Sequence, residues 1–160
     1  MNGLSLIFIA VLLLVSSGNL MAESEKILPE QKIYTPPEFG QDARLWQIIP
    51  SQKYVSVHYS TDYGKSFGQA IRLNPTDMPI HLWDENPPAI SVDREGRVYV
   101  LYFADDQQSS TSFFSHSDNG TLFSTPIKIS SEANTWYHYQ TEMLVDAKNR
   151  IHFIWHDTRD

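Results

Sequence analysis

Cysteine is absent from this 160-residue chain, so it has no disulfide framework and no thiolate nucleophile. Stability must come from packing, and export to an oxidising compartment is permitted. Basic charge is scarce: 12 Lys and Arg stand against 19 Asp and Glu, for a formal charge of −7. No basic cluster tracks a phosphate backbone, which excludes the nucleic-acid-binding classes. A membrane-spanning run is missing as well. The apolar stretch from Leu4 to Val15 falls short of the ~20 residues a spanning helix needs. Finally, residues 1–22 carry no charged side chain. They read as a secretory signal peptide with a cut after Ala22, and the protein is expected to be secreted or periplasmic. No Lys or Arg precedes the apolar run, so an uncleaved anchor is the alternative, with the leader as the chain's one membrane contact. Past the leader, no window carries a helical period.

In place of helices there is a repeat. "STDYGKSF" (Ser60 to Phe67) returns as "SHSDNGTLF" (Ser115 to Phe123), with Asp62 and Asp118, Gly64 and Gly120, and Phe67 and Phe123 each fifty-six positions apart. After each motif comes an alternating stretch, Gln69 to Asn74 and Thr125 to Ser130, with a basic residue in the same slot. Trp83 to Asp106 then matches Trp136 to Arg159 without a gap, at an offset of fifty-three. Each unit reads as four short strands, in the complete copy about Ala89–Asp93, Arg97–Phe103, Thr111–His116 and Ser124–Ser130. Four strands in about 50 residues is the sequence mark of a β-propeller blade.

The motif itself suits a turn between antiparallel strands. Asp62 and Asp118 are placed to accept backbone N–H groups, and Gly64 and Gly120 take the left-handed conformation without a Cβ penalty. Phe67 and Phe123 fold back to anchor each turn. A calcium loop needs more oxygen ligands than either copy supplies. His152 and His156 lie four apart, which on a strand is too far for one ion. No metal site and no cofactor are expected.

These residues resemble the Asp-box, or BNR, repeat of the sialidase-like β-propellers, whose pattern is Ser-x-Asp-x-Gly-x-Thr followed by Trp or Phe. The first copy departs only in Ser66 for threonine; the second has His116 and Leu122 at the serine and threonine slots. The resemblance covers about residues 51–160. It implies an all-β fold, an incomplete β-propeller of about two four-stranded Asp-box blades, with Ser60, Asp62, Gly64, Phe67, Asp118, Gly120 and Phe123 as structural turn residues. Residues 23–50, with Pro29, Pro36 and Pro37, read as an extended lead-in. Family sialidases carry an Arg-Ile-Pro motif before the first box and an acid/base aspartate between the two. Here the stretch reads Ile48-Ile49-Pro50, Arg44 lies out of register, and no carboxylate falls between Asp42 and Asp62. No catalytic residue carries over.

In such a propeller the loops leading into each blade line one face, and the Asp-box turns lie on the other. Trp83, Asp84 and Glu85 in one leading loop, and Trp136, Tyr137 and His138 in the next, are the candidate ligand-binding residues, joined by Arg159. Aromatic rings beside carboxylate and guanidinium groups suit sugars, which present C–H faces and hydroxyl edges. The plainer reading of Trp83 and Trp136 is as core plugs between blades. About two and a half units are fewer than the roughly 4–8 that close a propeller. The expected explanations, in order, are a gene fragment, a protomer that closes by self-association, and a small curved sheet stable alone. The leading expectation is an exported Asp-box repeat protein, non-catalytic as it stands, binding a carbohydrate, glycoprotein or other protein through its leading loops. The alternative is the N-terminal part of a sialidase or other glycoside hydrolase whose catalytic residues lie beyond residue 160.

Overall fold

The structure, a computed structural model, describes residues 35–82, 87–105, 110–129 and 138–157. The signal-peptide reading of residues 1–22 falls outside them. All belong to one compact unit, Lys32–Asp160. Among them the architecture is all-β and without a helix. The strands are β1 (Glu38–Phe39), β2 (Leu45–Pro50), β3 (Val55–Ser60), β4 (Ile71–Arg72), β5 (Ala89–Val92), β6 (Val98–Asp105), β7 (Ser110–Ser117), β8 (Ile127–Lys128), β9 (His138–Val145) and β10 (Ile151–Asp157).

They form three antiparallel meanders in chain order: β1-β2-β3-β4, then β5-β6-β7-β8, then β9-β10, none of them closed on itself. The two complete sheets share one plan, and the third repeats its first half in the same register. Val92 faces Val98 in the second sheet as Val145 faces Ile151 in the third. The alternation of Ile151, Phe153 and Trp155 with His152, Ile154 and His156 does make a strand, broken by a register shift between Ile154 and His156.

One difference concerns where the first unit begins. Residues 23–50 read as a lead-in, yet β1 and β2 lie inside that segment and complete the first four-stranded sheet. The reason is visible in "LWQIIP", whose alternation buries Trp46 and Ile48 and leaves Leu45, Gln47 and Ile49 half-buried.

Packing explains the different sequence textures. Trp46, Ile48, Val55 and Val57 of the first sheet share a buried cluster with Val98, Val100, Tyr102 and Ala104 of β6. The other side of β6, Tyr99 and Leu101, joins Phe114 and packs against Met143, Val145, Ile151 and Phe153 of the third sheet. The second sheet is therefore covered on both faces. That is why β6 reads as a continuous apolar run, "VYVLYFA", whereas β2 and β10 alternate. Each fully buried aliphatic side chain here contributes roughly 1.5–3 kcal/mol.

Candidate functional site

Antiparallel meanders put two kinds of connection at opposite ends of each sheet. The hairpins β1–β2, β5–β6 and β9–β10 lie at the turn end with the connections β3–β4 and β7–β8, which carry the repeated Asp and Gly residues. The loops leading into β5 and β9, and the β6–β7 connection, belong to the other, leading end.

The turn end is held by carboxylates serving their own backbone. In the first of these connections, Ser60 Oγ and Ser66 Oγ each donate to the Asp62 carboxylate at 2.6 Å, and the Ser66 N–H donates to Asp62 Oδ1 at 2.8 Å. Ser60 Oγ accepts the Gly64 N–H at 2.8 Å. Tyr63 and Gly64 both have positive φ, 59° and 82°. The bonds from Ser60 and Ser66 bring the Asp62 pKa down to about 2. Phe67 stacks on His58, ring centroids 4.2 Å apart, and anchors the turn.

The second connection reaches the same result with a shifted residue. Asp118 is exposed and accepts no hydrogen bond among the described residues; Asn119 takes its role. Asn119 Oδ1 accepts the Thr121 N–H and hydroxyl, both at 2.9 Å, and the Leu122 N–H at 3.1 Å. Ser117 Oγ donates to Asn119 and accepts the Gly120 N–H at 2.9 Å, as Ser60 does for Asp62 and Gly64. The turn has one residue fewer between acceptor and glycine, so the acceptor moves from Asp118 to Asn119. Gly120 has φ 73°, and a Cβ there would lie 2.7 Å from Trp46 Cζ2, so this turn sits directly on the first sheet. Phe123 packs against the cluster between the first two sheets.

The hairpins form a second repeat, and the structure adds a third copy, Gly40 to Arg44, to the two that the sequence alignment matched at Asp93 and Asp146. In "GQDAR", "DREGR" and "DAKNR" the N–H of the first residue donates to the carbonyl of the fifth: Gly40 to Arg44, Asp93 to Arg97 and Asp146 to Arg150, at 2.9, 3.0 and 2.9 Å. The fourth residue is left-handed each time: Ala43 at 60°, Gly96 at 81° and Asn149 at 58°. Asp93 Oδ1 accepts the N–H groups of Glu95 and Arg97, and Oδ2 accepts Arg97 Nε at 2.6 Å and the Tyr99 hydroxyl at 2.9 Å. Asp146 repeats this with Lys148, Arg150 and His152. In the first copy Gly40 replaces the aspartate, and the carboxylate comes from Asp42 instead, bonded to Arg44. A Cβ at Gly40 would lie 2.8 Å from Asp42 Oδ1, which is the space the exchange requires. The recurring arginine, at Arg44, Arg97 and Arg150, was the signal available in the sequence.

Burial works against ionising Asp93, yet its bonds from Arg97 and Tyr99 hold the carboxyl below the usual range. Asp146 is lowered too, chiefly by the Arg150 N–H. Burial and the bond to Asp93 push Tyr99 up to about 12. These carboxylates stay ionised acceptors and are unsuited to donate a proton near neutrality. Successive hairpins also touch, with Asn149 Nδ2 donating to Glu95 Oε1 at 2.7 Å. A cleft of about 760 Å³ opens here beside Tyr59, Thr61, Phe67 and Gln69, but the hydroxyls of Ser66 and Thr121 on its wall are already bonded to Asp62 and Asn119.

At the leading end, Trp83, Asp84, Glu85, Trp136, Tyr137 and Arg159 lie outside the described residues, and of His138 only the backbone is described, paired with Asp157. What is described is the frame that holds the first leading loop. Ile80 bridges to Ala104, the His81 N–H donates to the Phe103 carbonyl and the Asp105 N–H to the Pro79 carbonyl, both at 2.9 Å. This strip takes the place beside β6 that β5 leaves beyond Ala89. His81 Nε2 pairs with Asp105 Oδ1 at 2.7 Å, and its ring meets Phe103 edge-on at 5.0 Å. On the far side of the loop Pro88 is fully buried. The described residues on either side of the loop are thus held in place. His81 has no counterpart fifty-three residues on, where Asn134 stands, so the repeat gave no hint of it. Among the described residues no three His, Asp or Glu side chains gather as a metal set. No family model, no curated protein and no solved structure matches the chain, so its own residues carry the functional reading.

Proposed function

We propose that this chain is an exported Asp-box repeat protein of sialidase-like type, its stacked sheets being successive propeller blades, and that it is non-catalytic as it stands. It binds a carbohydrate, free or on a glycoprotein, through its leading loops. The observation that carries this is the closed hydrogen bonding of the turn end. Asp62, Asp93, Asn119 and Asp146 spend their acceptor capacity on their own turns. Ligand chemistry then falls to the leading end, where chain order brings the aromatic and charged residues Trp83 to Glu85 and Trp136 to His138 into equivalent loops. His81, paired with Asp105, and buried Pro88 hold the residues on either side of one of those loops.

The test is a glycan array probed with chain whose fold is confirmed by far-UV circular dichroism, beside a fluorogenic sialoside assay. Binding without turnover is the expected result. Turnover would overturn the non-catalytic reading in favour of a glycoside hydrolase. A folded chain that binds no glycan would overturn the carbohydrate reading.

A further inference from the structure

The sheets stack by one repeated operation. Trp46 and Ile48 of β2 share a cluster with Val98 and Val100 of β6. Fifty-three residues on, Tyr99 and Leu101 of β6 pack with Ile151 and Phe153 of β10. Each sheet therefore has a forward face, which packs on the next sheet, and a backward face, which receives the previous one. Applying the same offset once more assigns His152 and Ile154 to the forward face of the third sheet. Applied in reverse, it assigns Leu45 and Gln47 to the backward face of the first.

Neither of these faces meets another sheet among the described residues. On the third sheet Leu144 is 48% and Ile154 57% exposed, although Leu101, the counterpart of Ile154, is 2% exposed where a sheet covers it. On the first sheet Leu45, Gln47, Ile49 and His58 are half-buried. Ile154 is thus an exposed apolar side chain at a position that the repeat elsewhere buries, and with Leu144 beside it marks an interaction surface.

We infer that the two open faces are complementary, so that the third sheet of one copy stacks on the first sheet of a second copy, head to tail. The occupant follows from the operation. A forward face is received by a backward face, and among the described sheets the first alone has its backward face uncovered. Leu144 and Ile154 then meet Leu45 and Ile49, as Tyr99 and Leu101 meet Ile151 and Phe153 within the chain. The contact is heterologous, so it propagates to a ring where the rotation closes and to a filament where it does not. It uses sheet faces and leaves the leading loops free, so it stands or falls apart from the carbohydrate reading.

A cysteine-free chain makes the test direct. Full-length Ile154→Cys and Gln47→Cys chains, mixed in equal amounts and treated with a short bis-maleimide, should give the mixed cross-linked dimer well above its statistical share. The linker is needed because packed sheets lie about 10 Å apart, beyond a disulfide's reach. Ile154 is exposed, whereas Gln47 is half-buried with its Oε1 3.1 Å from His58 Nε2, so the fold of both chains is checked by circular dichroism. In sedimentation velocity across the micromolar range the unaltered chain should associate with rising concentration. Ile154→Asp should weaken that association at least about tenfold, since it places an unpaired charge in the contact. Statistical cross-linking, a chain that stays monomeric, or association indifferent to Ile154→Asp would each overturn the inference.

Discussion

At the turn end of the sheets, each described loop closes on itself: a carboxylate or amide accepts one or two backbone N–H groups, and a residue with positive φ lets the chain reverse. At the leading end the polar groups work differently. His81 and Asp105 join across 24 residues of sequence and brace a loop instead of forming one. The contrast teaches how the repeat divides labour. Local, self-satisfied turns recur and keep their spacing, whereas the leading end is assembled from distant segments and is free to differ between units.

Breaking the turn end should cost stability, and the largest loss is expected at Asp93. Its side chain is fully buried and accepts four bonds, so Asp93→Ala strands the Arg97 guanidinium, the Tyr99 hydroxyl and two N–H groups. Denaturant titration should show a loss of about 3 kcal/mol. Asp146→Ala removes the same pattern from a more exposed hairpin and should lose clearly less.

Next come the glycines. Gly120→Ala combines positive φ with a Cβ 2.7 Å from the Trp46 ring and should destabilise by about 2 kcal/mol in the same titration. Gly96→Ala has the strain without the clash, since nothing lies within 4 Å of its Cβ, and should lose about 1 kcal/mol. Equal losses at the two sites would break the claim that the second turn is seated on the first sheet.

Acid should act on the same end. Asp62 has a folded pKa of about 2, below its ordinary 3.8, and Asp93 and Asp146 are shifted the same way. Their stabilisation is complete above the unfolded value and is lost as pH falls through the folded one. Melting temperature should therefore drop between about pH 4 and pH 2, and Asp93→Asn should flatten that drop. The smallest effect is a gain: Ala43, with φ 60°, carries strain that glycine lacks, so Ala43→Gly should stabilise by about 0.5 kcal/mol.

The contrast also explains what could be read from residues alone. Strands β5 to β8 and their turns were legible, because alternation, Asp and Gly are local signals. The first hairpin escaped because Gly40 replaces the aspartate that marks it elsewhere, leaving Arg44 as its one regular residue. Asp118 misled for a similar reason: a one-residue shortening moved the acceptor to Asn119 while the spacing of Gly120 and Phe123 stayed unchanged. The stacking of sheet on sheet, and the His81–Asp105 brace, depend on contacts between distant segments and leave no local pattern. Of the candidate site, chain order alone assigned its residues to the leading end.

The most direct test of this division of labour is to titrate the Trp83→Ala/Trp136→Ala chain against the strongest array ligand, with its melting temperature recorded beside that of the unaltered chain. The account expects binding to fall at least about tenfold while the melting temperature holds. A variant that binds as before, or one that melts early because the two indoles are plugs between blades, would contradict it.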